Sequence, residues 1–165
     1  MNKETILAKE QVVADIQDKF NRSESVVFID YTGMTVEEVT ALRAKFRAAN
    51  VEYRVLKNTM LRRAADNLGL SDLDAHLEGT TAVAFSYEDP TAAAKIIMDF
   101  IRDSKKGNVK VGVIGNKVYG PETVDALSKI PEKNVLLAQL FSVMNGPAAA
   151  FARVVNAIRE QKETA

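Results

Sequence analysis

The sequence predicts an α/β domain followed by a helical tail. Over residues 1–131, short apolar runs alternate with amphipathic segments that begin at helix-capping residues. Residues 132–165 instead carry apolar side chains at a spacing of seven, which is typical of a long amphipathic helix. The chain has 165 residues with 47% hydrophobic and 27% charged content, enough for one packed domain and a short extension.

The first half of the domain is predicted to contain three helices and two strands. Val13 and Phe20 lie seven positions apart on one apolar stripe, which predicts the first helix. The uninterrupted run SVVFIDY predicts a strand that is buried on both faces. Thr35 and Glu38 form a capping box that starts the second helix, and Gly69 ends the third. The predicted elements are helix 4–21, strand 25–31, helix 35–49, strand 51–55 and helix 58–68.

The second half continues the alternation of strands and helices. Asp89 as N-cap and Pro90 at the first helical position predict the start of a helix. The sequence Lys105-Lys106-Gly107-Asn108 predicts a turn, and Gly120-Pro121 opens a short helix. The predicted elements are strand 81–87, helix 89–103, strand 108–114, a short strand 117–119 and helix 120–129.

The tail carries an apolar seam that no later segment of this sequence can cover. Leu137 and Met144 begin a series of apolar residues that recurs every seven positions and continues toward the end of the sequence. Candidate partner-binding residues are Phe151, Val154, Val155 and Ile158. Proline lacks the amide N–H that a helix interior needs, so we expect a kink or restart at Gly146-Pro147, with pieces near 133–145 and from 147 onward. Folding back onto the domain, docking of partner helices and lying on a membrane are the alternatives, and membrane binding fits poorly because the polar face has no cationic surplus.

Composition excludes several function classes. The chain has no cysteine and a single histidine, His76, which removes disulfides, thiolate metal sites and the common hydrolytic triads. No stretch reaches 18 apolar residues, so we expect a soluble cytoplasmic protein. No glycine-rich phosphate-binding loop is present. We therefore expect no metal, no cofactor and no catalytic residue.

One alternative is enzymatic. Asp30 ends a predicted strand and is followed by Thr32-Gly33, an arrangement that faintly resembles the aspartyl nucleophile of Mg²⁺-dependent phosphotransferases. That chemistry also needs a second acid to hold Mg²⁺ and a lysine to steady the phosphoryl group, and spacing identifies neither. The simpler interpretation is a strand, a glycine turn and a capped helix.

The charge is distributed unevenly although the net charge is zero. Residues 43–63 contain seven basic residues against one acidic residue, whereas residues 71–90 contain acidic residues and no Lys or Arg. Such a dipolar surface can bind a polyanion on one side. The candidate RNA-binding cations of this basic block are Arg43, Arg47, Arg54, Lys57, Arg62 and Arg63. A regulatory RNA-binding module would share this block but would have no use for the tail.

Three motifs occur in an order that is specific in combination. They are Asp30-Tyr31-Thr32-Gly33-Met34-Thr35-Val36, Val55-Leu56-Lys57-Asn58-Thr59-Met60 and Leu77-Glu78-Gly79-Thr80-Thr81-Ala82. Together with the helical tail, they make the whole chain similar to the bacterial large-subunit ribosomal stalk-base protein family, ribosomal protein L ten.

The resemblance implies a scaffold in the cytoplasmic ribosome and not a catalyst. It implies an N-terminal rRNA-binding domain over 1–131, ferredoxin-like with a mixed sheet and flanking helices, and a protruding C-terminal helix over 132–165. That helix would anchor dimers of the acidic stalk protein L seven/L twelve, which recruit translational GTPases. The segment after Pro147 is long enough, as a helix, for about two of them. The residues implied to face RNA are Tyr31, Gly33, Thr35, Lys57, Asn58, Thr59 and Arg62. Many members have Arg where Thr32 stands, and the family also suggests a neighbour, ribosomal protein L eleven, and translational feedback.

Overall fold

The computed structural model describes residues 3–115, 117–131 and 133–163. The chain separates into two compact units, residues 1–130 and 131–165, and each is described by itself. The predicted start of the tail at Glu132 and its last two residues lie outside the described residues. The first unit contains α1 (Lys3–Arg22), β1 (Ser25–Asp30), α2 (Val36–Ala48), β2 (Val51–Val55), α3 (Asn58–Asn67), a 3-10 helix (Ser71–His76), β3 (Ala82–Ser86), α4 (Ala92–Ser104), β4 (Asn108–Ile114), β5 (Lys117–Tyr119) and α5 (Pro121–Ser128).

The strands form one five-stranded sheet in the order β2-β3-β1-β4-β5. The first four strands, with α2 and α4 as crossovers, have the ferredoxin-like arrangement that was predicted. The predicted mixed sheet is wrong, because every pairing among the described strands is antiparallel. The cause is the strand order. β3 lies between β1 and β2, and β1 lies between β3 and β4, so the strands joined by α2 and by α4 are not neighbours.

Helices cover both faces of the sheet. On one face, α1, α3 and the 3-10 helix pack against alternate strand residues around Phe28 and Phe85. On the other face, α2, α4 and α5 pack around Ile29, Phe46 and Ile97. Because successive strand residues point to opposite faces, β1 contributes to both cores and is buried along Ser25–Ile29. The domain therefore has three layers with β1 at the centre.

Local signals mark some of the helix boundaries. The predicted capping box is confirmed, since Thr35 accepts from the Glu38 amide and Glu38 accepts from the Thr35 amide. The predicted start of α4 at Asp89-Pro90 is wrong by two residues. Asp89 Oδ1 accepts from the amide and hydroxyl of Thr91, at 3.1 and 2.9 Å, so it closes a turn before the helix. The 3-10 helix was not predicted.

The second unit contains one helix, α6 (Lys133–Glu163), with Pro147 inside it. Of the predicted kink or restart at Gly146-Pro147, the restart is wrong, because helical structure continues through both residues. The kink stays a prediction, since the proline ring removes one N–H and crowds the carbonyl one turn earlier. By length and composition alone, the span Lys133–Lys162 would suffice to cross a membrane, which is weak evidence by itself.

A cluster of partly buried polar and charged side chains connects α1 to the edge strand β2. Glu52 accepts from Lys19 Nζ at 2.5 Å and from the Tyr87 hydroxyl at 2.7 Å, and Arg54 Nε lies 2.6 Å from the same carboxylate. Partial burial opposes ionisation of Glu52, but these donors outweigh it and hold its pKa below the usual value. Burial, together with the bond to Glu52, raises the pKa of Tyr87 to about 12.

Replacing Glu52 with Gln should lower the free energy of unfolding by about 1 kcal/mol at neutral pH, because Lys19 and Tyr87 lose a charged acceptor. A lowered carboxylate pKa stabilises the fold above the usual value of 4.5, and that stabilisation is lost as the pH falls below it. The difference between the wild type and the variant in urea unfolding should therefore shrink in acid. Glu88→Gln, at an exposed position, is the matched control. A difference that is independent of pH would contradict the assignment.

Candidate nucleic-acid interface

The loop after β1 and the loop before β3 are joined by one carboxylate. Asp30 Oδ1 accepts from the Thr32 amide at 3.1 Å and from the Thr32 hydroxyl at 2.6 Å. The Thr80 hydroxyl donates to the same oxygen and lies 2.7 Å from the Thr32 hydroxyl. Two of the three sequence motifs therefore meet at Asp30, although they are about fifty residues apart.

The third motif is tied to the same place. Asn58, the first residue of α3, donates from Nδ2 to the Gly79 carbonyl at 2.7 Å. Arg62, one turn further along α3, donates from Nη2 to the Leu77 carbonyl at 3.1 Å. The motifs at 30–36, 55–60 and 77–82 thus form one connected surface at an end of the sheet, and we call it the motif surface.

The electrostatics of Asp30 follow from these contacts. Burial opposes its ionisation, but hydrogen bonds from Thr32 and Thr80 and the charge of Lys110 outweigh that cost and lower its pKa. An ionised carboxylate can only accept hydrogen bonds, which suits a site where both neighbouring hydroxyls donate.

The glycine turn and the start of α2 are fixed by a second loop. Gly33 has a φ of +83°, a left-handed conformation that favours glycine. A Cβ at this position would meet no other atom, so the backbone conformation is the reason for glycine here. Glu38, already in the capping box, accepts from Lys106 Nζ at 3.0 Å. A side chain at Gly107, whose φ is +76°, would be strained and would crowd the end of Met34 and the Asp30 carbonyl. The 105–108 turn therefore packs directly under the motif surface.

The cations of the basic block lie in separate places. β2 is an edge strand, and Val55 at its end is 46% exposed. Arg43 and Arg47 on α2 lie beside Val51 and Tyr53 of this strand. Arg62 on α3 bonds the Leu77 carbonyl, whereas Arg63 lines a groove between α1 and α3.

Arg43 and Arg47 lie beside an aromatic pair. Arg43 is positioned over the Tyr53 ring, 5.7 Å from its centroid, and Tyr53 stacks on Phe46 at 5.4 Å. Arg43, Arg47, Val51 and Tyr53 together line a shallow concavity. Burial raises the pKa of Tyr53, against the charge of Arg43. Its hydroxyl is buried and has no hydrogen-bond partner among the described residues.

The cations differ in how far they are engaged within the domain. Arg54 pairs with Glu52, and Arg62 bonds the Leu77 carbonyl and lies 4.0 Å from Asp74. Four others have no carboxylate within ion-pair distance in the described part of the chain: Arg43, Arg47, Lys57 and Arg63. Lys57 is the N-cap of α3 and makes no side-chain cap bond. These four side chains are exposed and available to an anion.

The remaining predicted residues divide into exposed and engaged ones. Thr59 is exposed on the first turn of α3, and Tyr31 is half-buried and close enough to influence the pKa of Tyr53. Thr35 is exposed but uses its hydroxyl and amide in the capping box. Sequence reasoning named Thr80 only as a member of the third motif and not as a site residue, and it missed Lys110, for which the sequence carries no signal.

α6 exposes its apolar seam along its whole length. Exposure is 72% for Phe151, 58% for Val154 and 49% for both Val155 and Ile158. The seam continues before Pro147 with exposed Leu137, Leu140, Phe141 and Met144. At about 100° per residue these side chains share one face of the helix.

The geometry does not support phosphotransferase chemistry at Asp30. Among the described residues no group of three His, Cys, Asp or Glu side chains could hold a metal ion. Asp30 has no second acid among its partners, and its acceptor oxygen is occupied by Thr32 and Thr80. His76 is an exposed residue at the end of the 3-10 helix.

Comparison with known proteins assigns the chain to a class of structural ribosomal proteins. The family described as Ribosomal protein L10 matches residues 4–118, and the Ribosomal protein uL10 C-terminal region matches residues 130–165. The Large ribosomal subunit protein uL10 of Alkaliphilus metalliredigens is 50% identical, with 93% of each chain covered. The proteins of that name from Staphylococcus aureus strain JH9 and Clostridium tetani are 46% and 44% identical, covering 96% and 94% of this chain and 95% and 91% of their own.

The chain belongs to the uL10 family. It is a structural protein of the large ribosomal subunit in the cytoplasm, and it is not an enzyme. The resemblance to ribosomal protein L ten is therefore confirmed, and both the Asp30 phosphotransferase and the regulatory module unconnected with ribosomes are set aside.

Asp30→Ala should lower the free energy of unfolding by about 1–2 kcal/mol, because the hydroxyls of Thr32 and Thr80 lose their shared acceptor. Asp30→Asn keeps an acceptor oxygen and should cost less. Since the pKa of Asp30 is lowered, its contribution is complete above the usual value of 3.8 and is lost as the pH falls below it. Urea unfolding between neutral and acidic pH measures both effects, and equal costs for the two variants would show that the acceptor is unimportant.

Proposed function

We propose that the domain binds large-subunit rRNA through the motif surface and the cations around β2. We propose further that α6 anchors dimers of the acidic stalk protein L seven/L twelve, which support recruitment of translational GTPases. The observation that carries the first part is the set of exposed cations without carboxylate partners among the described residues: Lys57 in the second motif, Arg43 and Arg47 beside β2, and Arg63 on α3.

The chemistry of this edge suits a phosphate backbone. Lysine and arginine that are not neutralised within the protein can release counterions from RNA when they bind phosphate. Arg54 and Arg62 add charge while they also hold β2 and the Leu77 loop in place. Tyr31, Gly33, Thr35, Asn58 and Thr59 supply hydroxyl, amide and backbone groups on the motif surface, which suit sugar, phosphate and base edges.

Lys57→Met should weaken binding to in vitro transcribed large-subunit rRNA and lower the slope of log affinity against log salt by about one, because one phosphate contact is lost. Lys57→Met with Arg63→Met should lower it by about two. Arg62 is a less suitable partner for Lys57 in this test, since it also bonds the Leu77 carbonyl.

The control for this series is Lys129→Met. Lys129 pairs with Asp125 on its own helix at 2.8 Å, and the substitution removes the same charge. It should leave the slope unchanged. A slope that is the same in all variants, with the fold intact by circular dichroism, would contradict phosphate binding at this edge.

The exposed seam of α6 supports the second part of the proposal. Large apolar side chains that stay exposed over a whole helix face mark an interaction surface in a monomer. The match of residues 130–165 to the uL10 C-terminal region favours partner helices over a membrane. A helix of this length is about 46 Å long at roughly 1.5 Å per residue, and a dimer that grips it with paired helices covers about 10–12 Å.

We expect two dimers on the segment after Pro147, with Phe151 and Val155 serving the inner one and Val154 and Ile158 the outer one. Ile158→Asp should remove a single dimer, because it places a charge in the outer apolar contact. Native mass spectrometry of the reconstituted complex counts the copies. Deleting residues 147–165 should abolish binding and leave the melting temperature of the domain nearly unchanged.

Asn156→Asp is the matched control, since Asn156 is exposed and lies two residues from both Val154 and Ile158, so it adds the same charge to the opposite side of α6. It should leave both dimers bound. Six stalk monomers per chain would contradict the count of two and assign a third dimer to the seam before Pro147, which the uninterrupted helix makes continuous with the rest. A neighbouring contact with ribosomal protein L eleven and translational feedback belong to this proposal through the family resemblance alone.

A further inference from the structure

Lys110 occupies an irregular position in the sheet. β4 pairs with β1 so that Phe28 faces Val111 but Ile29 faces Val109, which leaves Lys110 as the extra residue of a β-bulge. Two residues that are two apart in a regular strand share a face. Here Val111 packs in the α1–α3 layer and Val109 in the α2–α4 layer, as the bulge requires.

The bulge aims the Lys110 side chain at the loop before β3. Its Nζ donates to the Glu78 carbonyl at 2.5 Å, to the Thr80 carbonyl at 2.5 Å and to the Thr81 hydroxyl at 2.9 Å. An ammonium group has three N–H donors, so all three are used. Lys110 is also half-buried, unlike the exposed cations of the basic block.

This loop is held between the other two motifs. The Thr80 hydroxyl donates to Asp30, and the Gly79 carbonyl accepts from Asn58. Two carbonyls drawn to one ammonium fix the direction of the peptide groups between them. Lys110 therefore contacts the same loop that bonds Asp30 and Asn58.

We propose that Lys110 is a positioning residue for RNA binding: it holds the 78–81 loop so that the motif surface is preformed, and it does not itself contact phosphate. The inference rests on the proposed rRNA interface. It predicts an effect on affinity that differs in kind from that of Lys57, since a preformed surface saves ordering cost without releasing a counterion.

The test measures binding of the full chain to in vitro transcribed large-subunit rRNA over a range of salt concentrations. Lys110→Met should bind about tenfold more weakly at every salt concentration, with the log–log slope unchanged. Lys110→Arg, which keeps charged donors, should recover most of the affinity. Amide hydrogen exchange of residues 77–81 should be faster in Lys110→Met than in the wild type. Lys129→Met is again the control and should change neither the exchange nor the affinity.

Thr80→Val tests the same loop from its other side, in case Lys110→Met melts below the assay temperature. It removes the bond to Asp30 and should weaken binding with an unchanged slope. A slope lowered by about one in Lys110→Met would reveal a direct phosphate contact and overturn the inference. Unchanged affinity in folded Lys110→Met, or in Thr80→Val, would also overturn it, while the Lys57 result would still support the interface. A wild type without salt-dependent binding would overturn the proposed function and this inference together.

Discussion

The structure depends on the burial of β1 on both of its faces. A strand with helices above and below must be apolar at every position, and Val26 to Ile29 satisfy this in both cores. It must also end where the cover ends, and there the first ionisable side chain, Asp30, meets the loops from the neighbouring strands. The apolar strand and the polar surface at its end are therefore two results of one constraint.

The parts of the fold that were predictable are those in which a local signal and a tertiary contact agree. The Thr35–Glu38 capping box is a local signal for the start of a helix, and the structure has a helix there. The apolar SVVFIDY run suits a strand that is buried on both faces, and β1 is buried in this way. The start of α4 was placed too early because Asp89 can close a turn as well as cap a helix, and only the surrounding packing decides between them. Antiparallel pairing was missed because strand order is set by long-range contacts, not by patterns within each segment.

The candidate interface divides in the same way. Charge counting found the cations, and the resemblance found the loops, but neither showed which cations are already engaged. Arg54 and Arg63 look equivalent in the sequence, yet one pairs with Glu52 and the other has no such partner within the described chain. The role of Lys110 could not be predicted, because the alternation of Val109 and Val111 looks like that of a regular strand. The sequence pattern does not reveal the bulge between them.

The seam of α6 has a consequence for the free chain. An exposed apolar helix face can associate with a similar face of a second copy, so self-association of the unassembled chain increases with its concentration. A partner that binds the seam competes with this self-association by mass action. If the proposed partner helices cover the seam, a shortage of that partner would appear first as precipitation or degradation of newly made copies of this chain.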